Sequence, residues 1–238
     1  MQDYQRAFAD FLVECGAFRL GQFTLKSGRL SPTFVNTGLV EDGVGLLRLG
    51  EAYAGRMLDA VGAGGFDSVF GPAYKGIPLA VATTVALAAK GVRKPYLFDR
   101  KERKTHGEEA SAKADAAALL VGHRPAAGER IALVDDVLTT GATKYESVAL
   151  LKSLVEGARF PVLVIAVDRE ESGPDGLDAC SKFTKDTGIP VAPTVTMTEL
   201  LSHLEATGRL PTADRARCVA YLAQYGTPAA KAWAAARR

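Results

Sequence analysis

Cysteine is scarce in this chain of 238 residues: only Cys15, Cys180 and Cys218 occur, far apart and without a CxxC pair. An odd, scattered set excludes a disulfide framework and offers no structural zinc spacing. The thiols therefore read as small core residues in a reducing compartment. Long apolar runs are lacking too. The longest uncharged apolar stretch, from Ile77 to Ala89, falls short of the roughly 20 residues that span a bilayer. The N-terminal MQDYQRAFADF is too charged for a secretory leader, so a cytoplasmic location is expected, with no membrane partner. No charge sign dominates either. Lysine and arginine number 29 against 27 acidic residues, a net charge of +2. That gives no reason to expect a general nucleic-acid or membrane-surface binder, though it leaves room for a local basic patch. Finally, no GxxxxGK[ST], GxGxxG or HExxH occurs, so nucleoside triphosphatase, dinucleotide and zincin readings have no support.

What is present is an ordinary globular mixture, 47% apolar and 24% charged, long enough to bury a core unaided. Residues 2–15 carry Tyr4, Phe8, Phe11, Leu12 and Cys15 at helical spacing, with Gly16 as a stop. Residues 17–40 alternate in short pieces broken by Gly21, Gly28, Pro32 and Gly38, which predicts strands and turns of a small hood. Residues 44–61 read as a helix. Beyond it the pattern becomes α/β, with strands at 68–71, 95–99, 131–134, 162–167 and 191–196. Helices are expected at 78–90, 142–156, 175–187, 197–207 and 212–225. The alternation predicts a mostly parallel central sheet flanked by helices. The simplest division is one domain over 1–238, with a hood at about 1–40 and a C-terminal helical extension at about 206–238. The alanine-rich tail from Pro228 to Arg238 is expected to fray.

Residues 100–118 stand apart. Their only apolar members are alanines, and so long a stretch without core anchors is commonly a functional lid or disordered. Arg100, Lys101, Arg103, Lys104 and His106 fall within seven positions of it. Such a run can be a merely solvated charged loop. It also suits a reaction whose leaving group gains negative charge, because cations aimed there stabilise the transition state selectively. Excluding water matters: an ion pair at 4 Å is worth about 1 kcal/mol in bulk water but about 4 kcal/mol at an effective dielectric of 20.

The most specific stretch is IALVDDVLTTGAT, residues 131–143. Four apolar residues make a buried strand, and Asp135 and Asp136 sit at its carboxyl end. Val137, Leu138, Thr139, Thr140, Gly141, Ala142 and Thr143 then lead into a helix. In open α/β sheets, ligands bind beyond the carboxyl ends of the strands. A turn entering a helix there offers free N–H groups to a phosphate, and adjacent carboxylates suit sugar hydroxyls. A plain strand end with a helix cap would look similar in isolation. The full pattern resembles the phosphoribosyl-pyrophosphate (PRPP) motif of type I phosphoribosyltransferases.

Four further pieces occur in the same chain: FTLKSGRLSPTFVN (23–36), GPAYKG (71–76), RKERKTHGE (100–108) and DRE (168–170). In this combination and order the chain resembles the orotate phosphoribosyltransferase family over about residues 1–205. The resemblance implies transfer of the 5-phosphoribosyl group of PRPP to orotate, with Mg2+ carried by PRPP and no direct protein ligand to the metal. It implies that Lys26, Tyr74, Lys75, Arg100, Lys101, Lys104 and His106 contact PRPP. Asp135 and Asp136 would hold the ribose hydroxyls and Thr139 to Thr143 the 5′-phosphate, with Val137 and Leu138 also against PRPP. Lys101, Lys104, His106, Asp135 and Asp136 would be the catalytic set, and Phe34, Val35, Thr139 and Arg169 the orotate contacts. It further implies a homodimer in which loop 100–110 is shared between subunits. Apart from the resemblance, Arg169 follows an apolar strand, and a planar guanidinium suits orotate's carboxylate edge.

Two departures stand out. Val35 takes a place where the family often has a second aromatic, and EASAKADAAALLVGHRPAAGE (109–129) is a longer connection than members commonly have. Rival readings are a phosphoribosyltransferase for another base, which needs a different acceptor pocket, and a PRPP-sensing regulator, which needs a nucleic-acid-binding face.

Overall fold

α1 (Asp3–Glu14) forms where the apolar spacing predicts it, burying Phe8, Ala9, Phe11 and Leu12. The structure is a computed structural model and describes residues 1–25, 28–100, 119–138, 142–173 and 175–237, without the side chains of Ala142 and Thr143. β1 (Phe18–Thr24) and β2 (Leu30–Val35) pair antiparallel in a sheet of their own. A short 3₁₀ turn (Thr37–Leu39) then leads to α2 (Gly43–Val61). Asp42 starts that helix by accepting a hydrogen bond from the Gly45 N–H, the usual role of an N-terminal aspartate.

The main sheet contains β3 (Ser68–Gly71), β4 (Tyr96–Asp99), β5 (Leu120–Gly122), β6 (Ile131–Asp135), β7 (Leu163–Asp168) and β8 (Val191–Thr196). Their spatial order is β5-β4-β3-β6-β7-β8. All neighbours run parallel except β5, which pairs antiparallel with β4 at one edge. Helices α3 (Gly76–Ala89), α4 (Ala142–Leu154), α5 (Ala179–Thr187) and α6 (Met197–Ala206) complete the α/β part. Up to the aspartate that ends each, β6 and β7 are apolar because both of their faces are covered. Ala132, Val134, Val164 and Ala166 point into one core with Tyr53, Met57 and Leu79. Ile131, Leu133, Leu163 and Ile165 point into the other with Phe70, Leu151 and Phe183. That is the period-two alternation of a strand.

α2 and α3 approach closely at Gly50, where an added Cβ would lie 2.3 Å from the carbonyl oxygen of Ala82. The three cysteines are free thiols: Cys180 and Cys218 are buried, and Cys15 is half-buried against the core.

Two features correct the sequence expectation. The connection 109–129 contains a strand, β5, whose three residues are too few to show periodicity. The tail does not fray: Pro228–Ala235 forms a helix, α8, packed on α7 (Thr212–Tyr225). Thr227 caps it through the Ala230 N–H, and Ala230 and Ala234 are buried. The Trp233 indole N–H donates to Ser202 Oγ at 2.8 Å, and Arg237 Nε to Glu205 Oε2 at 2.9 Å. Small residues that look featureless in sequence are what allow this close packing. Among the described residues, no helix is long and apolar enough to cross a membrane.

Candidate active site

From β3 the chain crosses to β4 on one side and later returns to β6 on the other. The direction of winding therefore reverses between β3 and β6, and a crevice opens there at the carboxyl ends of the strands. The turn Gly71–Gly76 follows β3 and the acidic pair ends β6, so both flank this crevice. Gly71 is needed for the turn: a Cβ on it would lie 1.9 Å from the carbonyl oxygen of Gly76.

Asp135 and Asp136 are both buried. Lys144 Nζ, from the first turn of α4, lies 2.7 Å from Asp135 Oδ2 and donates to the Val137 carbonyl at 3.0 Å. Lys75 Nζ lies 2.9 Å from Asp136 Oδ2 and donates to Asn36 Oδ1 at 2.7 Å. The Thr37 N–H donates to Asp136 Oδ1 at 3.4 Å. Each carboxylate therefore has one ammonium partner, as burial of a charge requires. Beneath them Tyr53 donates its hydroxyl to the Asp135 carbonyl at 2.8 Å. Burial, and after it the charges of Asp136 and Asp135, pushes the Tyr53 phenol well above its ordinary range, so it stays a neutral donor.

The other motifs converge on the same edge. The Ala73 N–H donates to Asp99 Oδ1 at 2.6 Å, which ties the GPAYKG turn to the end of β4. Tyr74 is 71% exposed on that turn, and its peptide bond to Ala73 is cis. Arg100 is exposed immediately beyond β4, with its N–H bonded to the Leu119 carbonyl at 2.8 Å. Val137 is half-buried and Leu138 buried beyond β6. Arg169, at the end of β7, donates to Glu171 Oε1 from Nη2 and Nε at 2.5 and 3.0 Å, and from Nη2 to Ser31 Oγ of the hood at 3.1 Å. Its acidic partner is Glu171, not the adjacent Asp168 or Glu170.

The hood residues separate by strand face. Val35 turns its side chain into the core, leaving only its backbone for any ligand. Ser31 and Thr33 share that face of β2, toward Arg169. Phe34 lies on the other face, its ring stacked on Phe23 at 5.3 Å and under Arg19 at 5.5 Å. Lys26, Lys101, Lys104, His106, Thr139, Thr140 and Gly141, and the side chains of Ala142 and Thr143, lie outside the described residues.

Sequence reading missed Asn36, Tyr53, Asp99 and Lys144. Lys144 carried a signal, one position past the phosphate-type turn, and Asn36 ends the hood piece 23–36. Tyr53 and Asp99 are polar residues in unremarkable contexts, and only the fold brings them to the crevice.

As to metal, Asp135 and Asp136 are each already paired with a lysine, and no third His, Cys, Asp or Glu forms a ligand group with them among the described residues. The set does not form a protein cage for Mg2+, which wants six oxygens. It fits an ion held mainly by substrate oxygens and water.

Comparisons with known proteins agree with this geometry. No protein-family model matches the chain. A crystal structure of orotate phosphoribosyltransferase from Francisella tularensis superposes with a TM-score of 0.77 at 32% identity, covering 92% of this chain and 99% of that one. A protein named orotate phosphoribosyltransferase from Colwellia psychrerythraea is 46% identical over 206 residues, 86% of this chain and 87% of the relative. One of the same name from Pseudomonas aeruginosa is 42% identical over 231 residues, 95% of this chain and 100% of the relative. Fold and crevice together define a phosphoribosyltransferase of type I. Within that class, the chain belongs to the orotate phosphoribosyltransferase family.

Proposed function

We infer that the chain transfers the 5-phosphoribosyl group of PRPP to orotate, releasing pyrophosphate and giving orotidine 5′-monophosphate, a step in pyrimidine (UMP) biosynthesis. The observation that carries this reading is the buried Asp135–Asp136 pair at the β3/β6 crevice, with Arg169 at the next strand end. The carboxylates would accept hydrogen bonds from the ribose hydroxyls. The turn at 137–143 would take the 5′-phosphate on its N–H groups. Lys75 would leave Asp136 for the pyrophosphate as the sugar arrives, with Tyr74 beside it.

In the reaction the bond from ribose C1 to the pyrophosphate oxygen breaks and a bond from C1 to a ring nitrogen of orotate forms. Positive charge develops on the ribose and negative charge on the leaving group. The protein's task is positioning and charge stabilisation, and no covalent enzyme intermediate is needed. Lys26, Arg100, Lys101 and Lys104 would stabilise the pyrophosphate charge, and His106 could give it a proton, its unperturbed pKa lying near 6.5. Bound Mg2+ would supply further neutralisation of that charge. Arg169 and Thr139 would hold orotate, with the Val35 backbone nearby. Phe34 would stack on the ring by leaving Phe23 and Arg19.

We read the chain as one domain over 1–238, with the hood at about 1–40 and the helical extension at about 206–238. A homodimer sharing loop 100–110 is the proposed assembly. Three free thiols suit the cytoplasm.

Product analysis tests the reaction. Purified chain incubated with orotate, PRPP and Mg2+ should yield orotidine 5′-monophosphate by mass spectrometry, and uracil, adenine and hypoxanthine should yield no nucleotide. Product from another base in place of orotate would overturn the acceptor assignment.

A further inference from the structure

Arg169 joins the end of β7 to the hood, and its orientation is set by a group outside the sequence motifs. Glu171 Oε1 takes both Nε and Nη2 of Arg169, and Ser31 Oγ takes a further bond from Nη2. Nη1 makes no hydrogen bond among the described residues, so the edge left for a planar acceptor is defined by where Glu171 stands. Glu171 is itself braced. Arg29 Nη1 lies 3.6 Å from its Oε2, and the Arg29 guanidinium rests 4.4 Å above the Tyr225 ring.

The backbone around Glu171 is fixed by the junction of α7 and α8. Glu171 bridges antiparallel to Gly226. The Ser172 N–H donates to the Tyr225 carbonyl, and the Thr227 N–H to the Glu170 carbonyl, each at 2.8 Å. Pro32, Thr33, Met197, Cys218 and Tyr221 line the small pocket around the Arg169–Glu171 pair. The two side chains are only 13% and 17% exposed. In such surroundings the pair holds more firmly than a surface ion pair would. The Tyr221 hydroxyl is buried without a hydrogen-bond partner among the described residues. Burial and the nearby Glu171 charge raise its pKa, so it remains a neutral phenol near the carboxylate.

We propose that Glu171, held by Arg29 and the α7–α8 junction, is a positioning residue that aims Arg169 at orotate. The C-terminal helices would thereby take part in acceptor recognition. This rests on the reading of Arg169 as an orotate contact.

Steady-state kinetics on the intact chain separates the two claims. Arg169→Ala should raise the orotate KM; no rise would overturn the orotate contact itself. Glu171→Gln keeps the shape and removes the charge. It should raise the orotate KM about tenfold, with kcat and the PRPP KM within about twofold, the pattern of lost uniform binding. Glu171→Asp should recover part of the loss. Arg169→Ala combined with Glu171→Gln should be no worse than Arg169→Ala alone, because the second change acts only through the first. An unchanged orotate KM in Glu171→Gln, or full additivity in the double variant, would overturn the proposal. Should Glu171→Gln fail to fold, Arg29→Met decides: it should raise the orotate KM about threefold, and no change would count against the brace.

Discussion

Asp168 shows how one side chain can report on its surroundings. Burial, opposed by the Glu170 N–H and assisted by the charges of Asp178 and Glu170, lifts its pKa to about 6. An unfolded aspartate titrates near 3.9. Between about 4 and about 6 the folded chain keeps a proton that the unfolded chain has lost, so this group makes stability fall as pH rises through that window. Asp168→Asn removes the effect while keeping an acceptor for the Glu170 N–H. Its melting temperature should gain on the parent chain from pH 4 to pH 7 and then run level; a constant difference across that range would contradict the assignment. Lys144 gives a second test. Its side chain is 14% exposed and that of Asp135 8%, so Lys144→Met strands a buried carboxylate. The expected loss is about 3 kcal/mol, seen as a drop of several degrees in melting temperature; an unchanged transition would show that the ion pair contributes nothing.

At the scale of elements, the strands with two covered faces were the most readable. Ile131–Val134 and Val162–Val167 are uniformly apolar because each face meets its own core, and the structure places strands there within a residue or two. The acidic pair, the GPAYKG turn and Arg169 were visible for a related reason: each follows a strand directly, so local sequence implies its position. What escaped depends on contacts distant in sequence. Tyr53 meets Asp135 across 82 residues and Asn36 meets Lys75 across 39. β5 is too short for a pattern, and α8 is held by contacts to Ser202 and Glu205 that no local spacing announces. The approach of α2 to α3 is also non-local. Gly50→Ala would push a methyl against the Ala82 carbonyl, and overpacking of this kind costs about 1–3 kcal/mol. Denaturant titration should show a lower midpoint at unchanged slope, and equal midpoints would mean that the helices separate freely.

At the scale of the whole molecule, three regions meet at one crevice. The sheet supplies the acidic pair and the turn after β3, the hood supplies Asn36, Thr37 and Ser31, and the C-terminal helices hold the loop carrying Arg169. The proposed sharing of loop 100–110 between subunits would add a fourth region, and it can be tested by mixing. Lys104→Ala and Asp136→Asn chains, each nearly inactive alone, should regain part of the activity as heterodimers, because one site per dimer would then be intact. No recovery in a confirmed heterodimer would argue for self-contained sites. The most direct test of the account follows the orotate absorbance band in the parent chain and in Asp136→Asn, with and without PRPP. The account predicts PRPP-dependent loss in the parent, and a rate lower by about 10² or more in the variant at an unchanged melting temperature. Equal rates in the two chains would place the reaction somewhere other than this crevice.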